Sequence, residues 1–558
     1  MRREVSVVNK KVCSFPILFA LLALVVGTCA VVFPASAQAA PTSTGSITVS
    51  GTVASSYDAY QIFSANVVDG DSDAKIATDL AWASDAVRDA ALPMLHSAGM
   101  PNSQTTAQEA AEWLNTDFHL TSALSAQLAR SLQSSGAVFA ALNAGTEAKL
   151  PCGYWLIVAD DDAIAQNEAG TAPIMALVGG SAVTVKPKAA TPKVSKHVLE
   201  DSTAAWQKAA DATVADDLYW RLSATVPAGL SAYDTYTVQF VDTMSAGLDP
   251  SRVAASMRVY VAAGADGGFD AVSTGKDGRA GTEPAKGWTD ITAQCATKVA
   301  ADGTFTVRTG DLIAALGGAD AFTAGVRVVA VYNAPLNSAC NHGIAKGNPN
   351  EVYLRYPRSP FADQSGDAGF TRTPSDDACA YTWDLALTKR GSDGDKPLAG
   401  AVLSIADDRG RTLAADGTWD AEGKATVTTG EDGRVTVSGV DSGKLEVREL
   451  KAPKGYTAFE GTRSVTVKAE GLDVDQVAAA KPKLTITAES PLRADSADGS
   501  TGSLEASLIN TPTKDSPRGD MPSTGDMAMY AAAAVAVAGA ALIVVALLVK
   551  RGGGNHKK

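Results

Sequence analysis

Histidine is scarce in this sequence. Five occur in 558 residues, and His96, His119, His197 and His342 stand at no metal-ligand spacing. There is no Gly-x-Ser-x-Gly turn and no phosphate-cradling Gly-rich loop. No turnover enzyme, no cofactor and no metal are therefore expected. Basic charge is also in deficit, with 48 Lys plus Arg against 61 Asp plus Glu, a net charge of −13. That balance excludes nucleic acid as a natural partner. Cysteine is limited to six. Cys13 and Cys29 lie in the first 39 residues, leaving Cys152, Cys295, Cys340 and Cys379. Of the three full pairings open to four cysteines, a disulfide between Cys340 and Cys379 is expected only from their nearness in sequence. Lysine is absent from Ala40 until Lys75, so the first strands of the mature chain hold no amine.

Both ends carry processing signals. Arg2, Arg3, Lys10 and Lys11 precede an apolar core from Phe15 to Phe33, and small-residue sites end at Ala37 and at Ala39. Residues 1–39 thus read as a signal peptide, cut after one or the other. At the far end, Met521-Pro522-Ser523-Thr524-Gly525 precedes an apolar run, 527–549, and the basic tail Lys550, Arg551, Lys557 and Lys558. Such a run spans a bilayer as a helix, and the tail charges keep it cytoplasmic. The segment resembles the cell-wall sorting signal of Gram-positive surface proteins, with Met521 where that family usually has Leu. The resemblance implies cleavage by a sortase between Thr524 and Gly525, transfer of the Thr carboxyl to an amine, and a secreted, wall-anchored product. Without the two ends, 40 basic residues face 59 acidic ones, a net charge of −19.

Between the ends the chain reads as mainly β, with tandem Ig-like sandwiches. Residues 40–187 open with alternating strands at Ile47–Val53 and Tyr57–Phe63. Asp79–Leu95 and Thr106–Leu132 then show helical spacing, and strands return at Tyr154–Ala159 and Ile174–Val185. This predicts a sandwich with a helical insertion. Val185 to Pro192 is a proline-bearing linker. Residues 188–379 alternate at Leu218–Val226, Tyr233–Val241, Met257–Ala262, Phe305–Val307, Val326–Tyr332 and Val352–Tyr356. Residues 380–512 do so at Trp383–Lys389, Ala401–Ile405, Val435–Val437, Leu445–Glu449 and Ser503–Asn510. Residues 513–558 are the spacer and sorting signal.

The chemistry lies in what those strands place on their apolar faces. Alternate residues share a face. Trp383, Leu385 and Leu387 share theirs with Lys389. Leu445 and Val447 share theirs with Glu449, and Leu504, Ala506 and Leu508 share theirs with Asn510. The preceding domain repeats the set. Lys196 lies between Val194 and Val198, Asp242 follows Tyr236, Val238 and Phe240, and Asn350 precedes Val352, Leu354 and Tyr356. Asn348 has the same parity and stays open as the alternative to Asn350. A buried Lys is neutral and nucleophilic, and a buried carboxyl holds its proton. Together they suit an amide bond between Lys and Asn with loss of ammonia. Lys196–Asn350 and Lys389–Asn510 are the expected bonds, with Asp242 and Glu449 as the acids of a single self-reaction.

The stretches Gly347 to Tyr356 and Val447-Arg-Glu-Leu-Lys-Ala-Pro-Lys-Gly-Tyr456 resemble the isopeptide-forming backbone pilins of Gram-positive bacteria. The second is similar to their E-box, and the last domain to the collagen-adhesin B-type repeat. The resemblance implies a structural fimbrial subunit supporting adhesion. Its partners would be pilus-specific and housekeeping sortases, other copies of itself, accessory pilins, peptidoglycan and a host surface ligand. It also implies a linker Lys that attacks the sortase-bound Thr of the next subunit. Lys188 in Lys186-Pro187-Lys188 holds that position, with Lys186 and Lys193 as substitutes. A wall-anchored adhesin that does not polymerise is the alternative reading.

Overall fold

The strand Ser56–Asp69 runs for 14 residues because Tyr57, Ala59, Ile62, Phe63 and Ala65 find buried partners along its length. It is central to a five-stranded sheet, paired with Lys75–Trp82, Phe139–Asn143 and Gly153–Ala159. A three-stranded sheet packs nearby, with Thr44–Val49 between Glu147–Pro151 and Val183–Val185. These elements belong to a computed structural model describing residues 43–513 apart from 72–73, 117–119, 136–138, 171, 188–190, 229–230, 276 and 319–323. The signal segment, Lys188, Thr524, Gly525 and the apolar run 527–549 lie outside the described residues. Among the described residues no helix is long and apolar enough to cross a membrane.

The helical insertion consists of Asp85–Ser97, Ala107–Asn115 and Ser122–Ser134. Two expectations change here. Residues 79–82 form strand, not helix, because Trp82 pairs with Phe63 in the sheet and their rings meet at 4.9 Å. The stretch 106–132 holds two helices, each begun by its own side-chain cap, Thr106 with Glu109 and Thr121. Likewise 174–185 splits into Ile174–Val178 and Val183–Val185, which enter different sheets. The turn between them needs glycine, since Gly179 has φ +135° and a Cβ there would lie 2.6 Å from Val67.

In the middle domain a six-stranded sheet packs on a seven-stranded sheet. Trp220, Phe240, Phe305, Tyr332, Leu354 and Tyr356 fill the space between. The expected strand from Tyr233 begins only at Gln239. The backbone before it is held by side chains instead, Tyr236 N–H by Asp311 and Val238 N–H by Thr309. The last strand of this domain, Asp376–Tyr381, pairs with Asn348–Pro357 and Ala209–Asp211. The C-terminal domain follows at once with Trp383–Gly391, which lies between Arg434–Val440 and, in parallel, Ser503–Pro512. Its second sheet contains Val402–Ala406, Gly443–Lys451 and Thr462–Glu470.

The two domains are bolted together by charge. Asp211 Oδ2 accepts from Trp383 Nε1 at 2.6 Å and from Ser442 N at 2.9 Å. Arg409 and Arg411 pair with Asp216. The expected Cys340–Cys379 disulfide is not formed, which corrects the sequence reading. Both thiols are free. Cys340 packs at the edge of the middle core with His342 Nε2 3.6 Å from its sulfur, while Cys379 is buried in the C-terminal core.

Candidate functional site

Two buried polar triads occupy the cores of the middle and C-terminal sandwiches. Lys196 sits in the strand Lys193–Glu200, opposite Leu222, with no side-chain exposure. Asp242 and Asn350 lie in the facing sheet, on paired strands, with Asp242 opposite Val352 and Asn350 opposite Met244. The Lys196 ammonium contacts Asp242 Oδ2 directly and lies 3.0 Å from Tyr332 Oη. Tyr332 Oη is 3.1 Å from the same Asp242 oxygen and 2.8 Å from Asn350 Nδ2. Burial pulls the Lys196 amine down to about 8, against the opposing pull of Asp242, and pushes the Asp242 carboxyl up. Both shifts favour a neutral amine beside a protonated acid.

Asn348 is occupied elsewhere. Its Oδ1 accepts from Asn341 N at 2.8 Å, and its Nδ2 donates to Asn341 O and Ala380 O. Of the two candidates, Asn350 is the one hydrogen-bonded into the Lys196 cluster, through Tyr332 Oη.

In the C-terminal domain the members are distributed differently. Lys389 and Asn510 share one sheet, on neighbouring parallel strands, and Glu449 reaches them from the other. Lys389 Nζ is 3.7 Å from Glu449 Oε1 and donates to Leu508 O at 3.2 Å. Asn510 Nδ2 lies 2.9 and 3.0 Å from the two Glu449 oxygens, and Phe459 N–H holds Oε2 at 3.1 Å. Burial lowers the Lys389 amine to about 8 as well. In both sites the Asn side-chain oxygen is buried without a hydrogen-bond partner among the described residues.

Two contributors escaped the sequence reading. Tyr332 looked like an ordinary core aromatic. Lys208 is a second buried amine that donates to Lys196 O at 2.9 Å and pairs with Asp376, whose Oδ2 also accepts Lys196 N–H at 2.7 Å. This clamp fixes the backbone that carries Lys196. The only cue was a Lys and an Asp beside otherwise apolar stretches. Lys186 and Lys193 are exposed.

Residues 384–481 match the SpaA prealbumin-like fold domain. That stretch of the C-terminal domain is thus similar to a SpaA-type prealbumin-like domain. The trypsin-resistant surface T6 protein of Streptococcus pyogenes serotype M6 is 30% identical over 143 residues, 24% of this chain and 24% of that protein. The chain therefore spans about a quarter of the length of that curated relative. Solved structures resembling it include the T6 backbone pilin of serotype M6 Streptococcus pyogenes, at 17% identity and TM-score 0.44, covering 84% of this chain and 98% of that one. The full-length major pilin SpaD of Corynebacterium diphtheriae is 15% identical with TM-score 0.40, covering 84% and 98%. In this chain the prealbumin-like domain carries Lys389 and Glu449, and its closing strand carries Asn510.

Proposed function

We propose that the chain is the structural backbone subunit of a covalently polymerised surface fibre, a pilus, and that its middle and C-terminal domains each carry one internal Lys–Asn amide bond. The observation that carries this reading is the convergence, twice in one chain, of a fully buried Lys, an acid and an Asn. Three such groups in an apolar core cost several kcal/mol each if idle, so recurrence asks for a common chemistry. The neutral amine of Lys196 or Lys389 attacks the side-chain carbonyl carbon of Asn350 or Asn510. The acid takes the amine's proton and supplies one to the leaving nitrogen, ammonia departs, and the amide remains.

The ends of the chain supply the assembly. A sortase would cut after Thr524 and join its carboxyl to Lys188 of the next copy, and the last copy would be passed to peptidoglycan. The family likeness of the prealbumin-like domain and of the T6 relative supports a surface subunit of this kind.

The deciding experiment is the intact mass of residues 40–524, beside Asp242→Ala and Glu449→Ala. The wild type should be lighter by two ammonia molecules, and each variant by one. An unmodified wild-type mass defeats the reading. For assembly, Lys188→Ala expressed in a pilus-forming host should abolish the high-molecular-weight ladder while leaving wall-anchored monomer.

A further inference from the structure

The two triads solve the same problem with acids of different length. Glu449 touches Asn510 Nδ2 with both oxygens, so it can protonate the leaving nitrogen itself. Asp242 is one methylene shorter. Among the described residues its hydrogen-bond partners are Lys196 and Tyr332, and Asn350 Nδ2 is instead on Tyr332 Oη at 2.8 Å. The acid of the middle domain is therefore beside the nucleophile and is separated from the leaving group by one hydroxyl.

We infer that Tyr332 is a third catalytic residue of the middle domain, a phenol relay that carries a proton between Asp242 and the leaving nitrogen of Asn350. The inference rests on the amide-forming reading above and assigns the step that reading leaves open. The ring is placed for it. Tyr332 is fully buried, opposite Trp220 in the ladder, with Phe305 packed edge-on at 4.8 Å. Its oxygen has Lys196, Asp242 and Asn350 within 3.1 Å, as a relay requires.

The step balances. The Lys196 nitrogen forms a bond to Cγ of Asn350, and the Cγ–Nδ2 bond breaks. Tyr332 gives its hydroxyl proton to Nδ2 and regains one from protonated Asp242. Asp242 is restored by a proton from Lys196 Nζ. One ammonia leaves, and no oxidant or co-reactant enters.

The test follows the appearance of the Lys196–Asn350 cross-link by peptide mapping of chain 40–524 newly synthesised by cell-free translation and sampled at successive times. The Lys389–Asn510 cross-link in the same molecule is the internal control. Tyr332→Phe keeps the ring and removes only the hydroxyl. It should slow the middle cross-link by at least about 100-fold, within the range of a lost general acid, and leave the C-terminal one unchanged. The double variant Tyr332→Phe/Asp242→Glu should recover the middle cross-link, because the longer acid reaches the amide directly, as Glu449 does. A wild-type rate in Tyr332→Phe overturns the relay, and so does a slow single variant that the double does not restore. A wild type that never forms the Lys196–Asn350 cross-link would instead defeat the amide-forming reading itself.

Discussion

Lys389 and Asn510 stand two rungs apart on adjacent parallel strands, with Lys389 opposite Leu508 and Asn510 opposite Gly391. A bond between them ties neighbours within one sheet. Lys196 and Asn350 belong to different sheets, so a bond there rivets the two layers of the sandwich together.

Removing the first of these ties should be costly. Closing a loop of about 100 residues constrains the unfolded chain by about 4.7 kcal/mol. Lys389→Ala also empties the buried space that the Lys389 side chain fills. The melting temperature of the C-terminal domain should fall by at least about 10 °C in calorimetry, with the middle-domain transition unmoved.

The asparagine assignment separates cleanly. Asn350→Ala should abolish the middle cross-link and leave one ammonia unreleased. Asn348→Ala should keep the cross-link yet destabilise the domain by about 1–3 kcal/mol, because the N–H of Asn341 loses its buried acceptor. Mass spectrometry and urea unfolding read the two effects apart.

The junction between the domains should respond to pH. Glu200 is buried beside Asp211 and Asp201, with Arg409 across from Asp201, and burial pushes its carboxyl up to about 7. Asp201 and Asp441 are raised by the same neighbourhood. A carboxyl whose folded value is raised contributes stability that is full below its unfolded value and is lost as pH rises through the folded one. Stability of the two-domain unit should therefore fall between about pH 4.5 and pH 7. Glu200→Gln should flatten that slope and raise the melting temperature at pH 8.

Thiol chemistry offers a check on the missing disulfide. Thiol titration of unfolded chain 40–524 should count four thiols. In the native state Cys340 and Cys295 should alkylate before Cys152 and Cys379, which are 3% and 2% exposed. His342 has Nε2 at 3.6 Å from the Cys340 sulfur and Nδ1 at 2.7 Å from Asp384, so His342→Ala should slow Cys340 labelling.

The alternation of two along Trp383–Lys389, Leu445–Glu449 and Ser503–Asn510 was enough to place Lys389, Glu449 and Asn510 on buried faces, because one face of each of these strands meets the core and the other does not. Tyr332 was invisible to the same logic. Nearly every residue of Val326–Asn333 is buried, so periodicity carries no information about which side holds the chemistry. The choice between Asn348 and Asn350 was equally closed to it, since both sit on the same face and only their three-dimensional partners, Asn341 and Ala380 for one and Tyr332 for the other, tell them apart. Residues 79–82 misread as helix because pairing with the long strand Ser56–Asp69 outweighs local spacing. Nearness in sequence failed for Cys340 and Cys379 because the chain between them crosses from one core to the next.

The parallel register of Trp383–Gly391 with Ser503–Pro512 has a consequence for loading direction. The chain comes into the C-terminal domain at one pole and departs at the other, as the two strands run the same way. Tension applied at the two termini would then slide the strands past one another lengthwise. Eight ladder pairs, Asp384 with Ser503 through Gly391 with Asn510, would resist in shear at the same moment. An antiparallel neighbour would instead open like a zipper, one rung at a time.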